Sequence, residues 1–122
     1  MIHNDQIKHV VAHSIDGGFY TGRMQNDLPN GKGKMVYPDG WTYEGEWQNG
    51  VLNGVATVTD ANNNSLTGKY TNGIIRGYAC FKNNHNGFSY RLYDNQGQLK
   101  DNNVPKETIE DLKRFYVGYS YL

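Results

Sequence analysis

At 122 residues the chain has the size of one domain, and its 37% hydrophobic and 20% charged residues are lean for a two-layer core but enough for a single twisted sheet. Twelve Lys and Arg balance twelve Asp and Glu, so the formal net charge is zero. No global field draws such a chain to DNA, RNA or an anionic bilayer, which argues against nucleic-acid and membrane partners.

The chain opens Met1-Ile2-His3-Asn4-Asp5, without the charged-then-apolar layout of a signal peptide, and no apolar run approaches the roughly 18 residues of a membrane span. The single cysteine excludes an intrachain disulfide and is compatible with a reducing compartment. A cytoplasmic location is expected. From Ile7 to Ile15 the pattern reads as a strand, which ends at Asp16-Gly17-Gly18 and pairs back onto Phe19 to Met24.

A strict repeat then takes over. Gly22, Gly45 and Gly68 stand 23 residues apart, and Gly31, Gly54 and Gly77 keep the same step. Tyr20, Tyr43 and Leu66 fall together, as do Met24, Trp47 and Tyr70, then Leu28, Val51 and Ile74, then Met35, Val58 and Phe81. A unit this short cannot bury its own apolar face, so neighbours must stack to make a core. Asn49-Gly50, Asn72-Gly73 and Asp39-Gly40 supply the positive φ of hairpin turns, so each unit is a strand, a turn, a second strand and another turn.

Alternation puts Tyr43, Gly45 and Trp47 on one face and Gly33, Met35 and Tyr37 on the same side. The expected register pairs Tyr37 with Tyr43, Met35 with Gly45 and Gly33 with Trp47, and sets Lys34 opposite Glu46 as a cross-strand ion pair. Shifted by one unit, it pairs Ala56 with Tyr70 and Val58 with Gly68. On this reading the glycines recur because aromatic rings of the adjoining strand lie on them.

A fourth unit is worn: Tyr93 and Asn95 keep their offsets, but Arg91 stands where glycine belongs. Asp101-Asn102-Asn103 is a polar break. Beyond it, Pro105, early acids Glu107, Glu110 and Asp111, late Lys113 and Arg114, and Gly118 frame a helix over about 105–117, with Ile109, Leu112, Phe115 and Tyr116 at helical spacing. Its expected task is to cap the open end of the stack. The organisation is thus a repeat sheet over 5–100 and a break plus capping helix over 101–122, one structural domain in all.

Tyr43-Glu44-Gly45-Glu46-Trp47-Gln48-Asn49-Gly50, followed by Gly54 and preceded by Gly31-Lys32-Gly33 and Asp39-Gly40, resembles the MORN repeat. The likeness covers residues 19–82 as about three clear units with decayed halves on either side. It departs from the family pattern at Val55-Ala56 and Leu66. The resemblance implies a mainly β fold, a single-layer antiparallel meander of hairpins curved into a half-pipe, whose groove is lined by Tyr20, Tyr37, Tyr43, Trp47 and Tyr70; the alternative is that these rings are simply the thin core, packed on the glycines and on the helix. It also implies a binding function, since relatives act as scaffolds and tethers, some as antitoxin-like partners, and several are credited with lipid attachment.

Catalytic readings are weaker than structural ones. His9 and His13 lie on a strand without a third ligand, and Cys80 has no base at a recognisable spacing. Glu44 and Glu46 are the acids of a solvated strand face. Gly31-Lys32-Gly33-Lys34 lacks the spacer and hydroxyl of a phosphate loop. No enzyme activity, metal or cofactor is expected. Residues off the repeat are better anchors: Trp41 aligns with Gly18 and Asn64, and Tyr78 with Lys32 and Val55, so the scaffold asks for neither ring. The expected function is protein binding through the aromatic groove, or through edge strands that pair two copies into a homodimer. Lipid attachment and inhibition of an enzyme are the alternatives.

Overall fold

The computed structural model describes residues 6–122; residues 1–5, including the first residue of the 5–100 repeat region, lie outside the described residues. Among the described residues nine strands follow in chain order: β1 (Ile7–Ile15), β2 (Gly18–Gln25), β3 (Leu28–Val36), β4 (Thr42–Gln48), β5 (Val51–Thr59), β6 (Ser65–Thr71), β7 (Ile74–Lys82), β8 (Phe88–Tyr93) and β9 (Leu99–Asp101), then helix α1 (Lys106–Phe115). They make one antiparallel sheet in sequence order. The sheet is the open meander of hairpins that the repeat predicts.

From β2 onward two kinds of turn alternate, after a tight two-residue turn at 16–17 that joins β1 to β2. Tight two-residue turns at 26–27, 49–50 and 72–73 have both central residues at positive φ, as at Asn49 (48°) and Gly50 (88°), the backbone that matches strand twist. Consecutive tight turns are tied together by side chains. Asn30 Oδ1 accepts the Asn49 N–H at 2.9 Å, and one unit later Asn53 Oδ1 accepts the Asn72 N–H at 3.1 Å. Arg76 occupies the next position of that series and ends the ladder. Leu28, Val51 and Ile74, aligned by the repeat, are not core: each is about 40% exposed, resting beside the turn glycines Gly50, Gly73 and Gly97 respectively.

The other turns set the register, and they correct the expected one. Tyr37 N–H bonds to Trp41 O at 2.9 Å, closing a three-residue turn, Pro38-Asp39-Gly40, rather than a five-residue loop. The pairs are therefore Met35 with Tyr43, Gly33 with Gly45 and Gly31 with Trp47. In the next unit Ala56 meets Gly68 and Gly54 meets Tyr70. The slip is two residues, an even number, so every side chain keeps its expected face. Lys34 stands opposite Glu44, not Glu46. Among the described residues no lysine of β3 lies within salt-bridge distance of a carboxylate. Glu46 Oε2 instead accepts the Val55 N–H at 2.9 Å.

The glycines also divide differently. A ring lies directly on Gly33, where the Tyr20 phenol occupies the space a Cβ would need, and Tyr37 lies on Gly18. At Gly22 and Gly45 the obstacle is the backbone of the next strand. Gly54, at φ +127°, adopts a backbone that side-chain-bearing residues rarely take. Ring packing thus explains part of the glycine pattern, and backbone geometry the rest.

One face carries the core: Tyr20, Met24, Met35, Trp47, Leu52, Ala56 and Tyr70, flanked by Tyr37, Tyr43, Val58 and Ile75. Helix α1 lies on the opposite face. Val104 N–H bonds to the backbone at Tyr90 O, while Lys113 acts electrostatically on Cys80 and Glu110 on Tyr90, a cross-strand pair whose side chains point away from Phe81. Ile109, 1% exposed, is its anchor. The helix therefore covers the outer face of the last strands at the end of the stack, and Phe115 and Tyr116, expected on its apolar face, are exposed.

Candidate binding groove

The expected groove residues separate into buried and accessible rings. Tyr20 is fully covered, its hydroxyl donating to Arg23 O at 2.8 Å and its ring meeting Trp47 edge-on at 5.7 Å. Trp47 donates its indole N–H to Gly33 O at 2.9 Å, and Tyr70 is buried beside them. Burial pushes the hydroxyls of Tyr20 and Tyr70 up from their ordinary pKa, because the phenolate would be poorly solvated. These three rings are core.

Tyr37, Trp41 and Tyr43 are the accessible group. Tyr37 and Tyr43 meet edge to face at 5.5 Å, and Trp41 stacks on Tyr43 at 6.4 Å with a 24° tilt. The turn fixes this cluster, since Asp39 Oδ1 accepts the Trp41 N–H at 3.0 Å. Asn64, the repeat equivalent of Trp41, spends its side chain on structure: Oδ1 accepts the Asn84 N–H of the next turn at 3.1 Å. Trp41 instead sets a ring, 39% exposed, at the mouth of a hollow of about 330 Å³ lined by Tyr43, Val58, Leu66, Tyr70, Phe81 and Arg91.

Tyr78 is on the other face, half-buried beneath the C-terminal segment. Tyr119 packs edge-on against it at 6.4 Å, and Tyr121 donates its hydroxyl to Tyr78 O at 2.9 Å. Lys69 Nζ lies 5.3 and 5.7 Å from the Tyr119 and Tyr121 rings. A residue that the repeat leaves unexplained is here a dock for the chain's own end. Tyr119 and Tyr121, two apart after Gly118, were the available signal for this contact.

Two of the motifs set aside as catalytic, the glutamate pair and the Gly-Lys run, come together on that same outer face. Lys32, Lys34, Glu44 and Glu46 line a hollow of about 790 Å³ with Thr21 and Val55. Glu46 is committed to the Val55 N–H, and among the described residues no group of three metal-ligating side chains occurs. Cys80 is buried and its thiol is pushed up by that burial, the opposite of what a nucleophile needs. No described helix is long and apolar enough to cross a membrane.

The family model of the MORN repeat matches residues 20–42 and 43–65. A search of curated proteins finds no match. The matched segments meet between Thr42 and Tyr43, each spanning one 23-residue unit of the sheet. With that period and its tight and three-residue turns, the chain carries MORN repeats over residues 20–65.

Proposed function

We propose that the protein is a non-enzymatic binding module of the cytoplasm that recognises a protein partner through the hollow beside Trp41. MORN repeats are in general modules for interaction with proteins or membranes. The observation that carries the reading is the Trp41 ring, exposed at a position where the next unit places a structural asparagine. A large ring presented on a rigid turn is the kind of group that anchors interfaces. Tyr37 and Tyr43 hold it in place, while Tyr20, Trp47 and Tyr70 serve the scaffold beneath. Affinity capture with tagged protein, read by mass spectrometry, tests this: one stoichiometric partner retained by the wild type is lost on Trp41→Ala. Retention unchanged by that substitution refutes the groove as the site.

A second mode, pairing of two copies through β1, has its own support. Among the described residues this nine-residue edge strand bonds to β2 alone, and it exposes Val11. Light scattering that reports a monomer at all accessible concentrations removes it.

A further inference from the structure

We propose that Arg91 makes the Phe81 end of the groove a carboxylate-binding subsite, so that the partner is a protein segment presenting an acidic side chain next to an apolar one. The inference rests on the groove reading above and adds the chemistry of its occupant. Arg91 stands in the glycine series of the repeat, opposite Ala79 just as Gly68 stands opposite Ala56. Earlier units need glycine there because the following strands crowd that face. The three-residue β9 supplies no such crowding, so a long side chain fits.

Its guanidinium folds over the Phe81 ring at 3.9 Å and donates through Nη1 to the Tyr93 hydroxyl at 3.3 Å. Nε is buried without a hydrogen-bond partner, and among the described residues no carboxylate lies within 4 Å of the group. Asp60, the acid of this hollow, is already engaged by its own turn. It accepts the N–H groups of Asn62 and Asn64 and the Asn64 side-chain amide, which hold its carboxyl below the ordinary range. A partly desolvated cation without a counter-charge is unfavourable by itself and strongly favours an incoming anion. The planar fork suits a carboxylate, and the ring wall of Trp41 and Tyr43 suits an apolar neighbour.

The test uses the full chain, labelled with nitrogen-15, and two probes, N-acetyl-Phe-Glu-amide and N-acetyl-Phe-Gln-amide. The glutamate probe is expected to shift the Leu66 and Phe81 amides and the Arg91 Nε–H, and to bind about fivefold or more tighter than the glutamine probe. R91Q brings the ratio to one, and R91K, which keeps charge but loses the fork, leaves it between. Equal affinities in the wild type overturn the inference while leaving the groove reading intact. Shifts confined to the Lys32 and Lys34 face, or none at about 20 mM probe where even weak binding of this kind is visible, also overturn it. Failure of the groove reading itself is seen separately, as partner capture indifferent to Trp41→Ala.

Discussion

Gly33→Ala tests the packing rule most directly. Gly33 has an extended backbone that alanine can adopt, so any cost comes from space alone. A Cβ at this position would fall on the Tyr20 hydroxyl and the adjoining ring carbons. Tyr20 is fully buried and cannot swing into solvent. Displacing a core ring costs about 1–3 kcal/mol, and pulling its hydroxyl from Arg23 O, 2.8 Å away, forfeits about 1 kcal/mol more.

The expected loss is therefore about 2–4 kcal/mol, a fall of roughly 1–2 M in the urea midpoint for a slope near 2 kcal/mol/M. Tyr20→Phe alone costs about 1 kcal/mol through the lost hydrogen bond. In the Gly33→Ala background it costs less, because it removes the atom nearest the new methyl. Urea unfolding followed by tryptophan fluorescence and circular dichroism measures all four proteins. A loss below about 0.5 kcal/mol for Gly33→Ala, the ordinary scatter of neutral surface changes, refutes the reasoning. An equal Tyr20→Phe penalty in both backgrounds refutes it too.

Three further outcomes follow from other contacts. Asn30→Ala and Asn53→Ala each remove the acceptor that ties one tight turn to the next, and equilibrium unfolding should show similar losses of about 1 kcal/mol for both; an effect at one site only contradicts the equivalence of the units. Tyr121 has its hydroxyl pushed up to about 12 by burial. Its folded pKa exceeds the unfolded value, so the native state holds the proton more tightly and stability falls as pH rises from about 10 to about 12. Tyr121→Phe should flatten the decline of the urea midpoint over that window, and an unchanged slope counts against the docking of the C-terminal segment. Cys80, buried with its thiol raised, should react with a thiol reagent at pH 8 about tenfold or more slowly in the native protein than in urea; equal rates mean that α1 does not cover this face.

Much of this architecture was legible because the chain repeats. A 23-residue step with Asn-Gly and Asp-Gly at fixed offsets leaves few alternatives to stacked hairpins, and alternation assigns Tyr20, Met35, Tyr43 and Trp47 to one face whatever the register. The β1 strand was legible to its ends, and the helix to within one residue at its start and two at its end. The register was not, because it depends on whether Pro38-Asp39-Gly40 closes over three residues or five, and the same residue types suit both. The helix was legible in the sequence, but the face of the sheet that it covers was not. Its apolar residues say that it must be buried, not against which side of the sheet.

The candidate site divides along the same line. Trp41 was identifiable because it breaks the repeat, and Arg91 was visible as a missing glycine. Tyr78 broke the repeat equally clearly but proved to be the seat of Tyr119 and Tyr121, more than 40 residues later in the chain. By itself the sequence determined the unit, its strand and turn order, and the face on which each side chain points, since these follow from local periodicity and turn chemistry. Only the tertiary structure decided which rings are sealed in the core, which stand open beside Trp41, and which face the chain's own end covers, because those depend on distant segments meeting across the sheet.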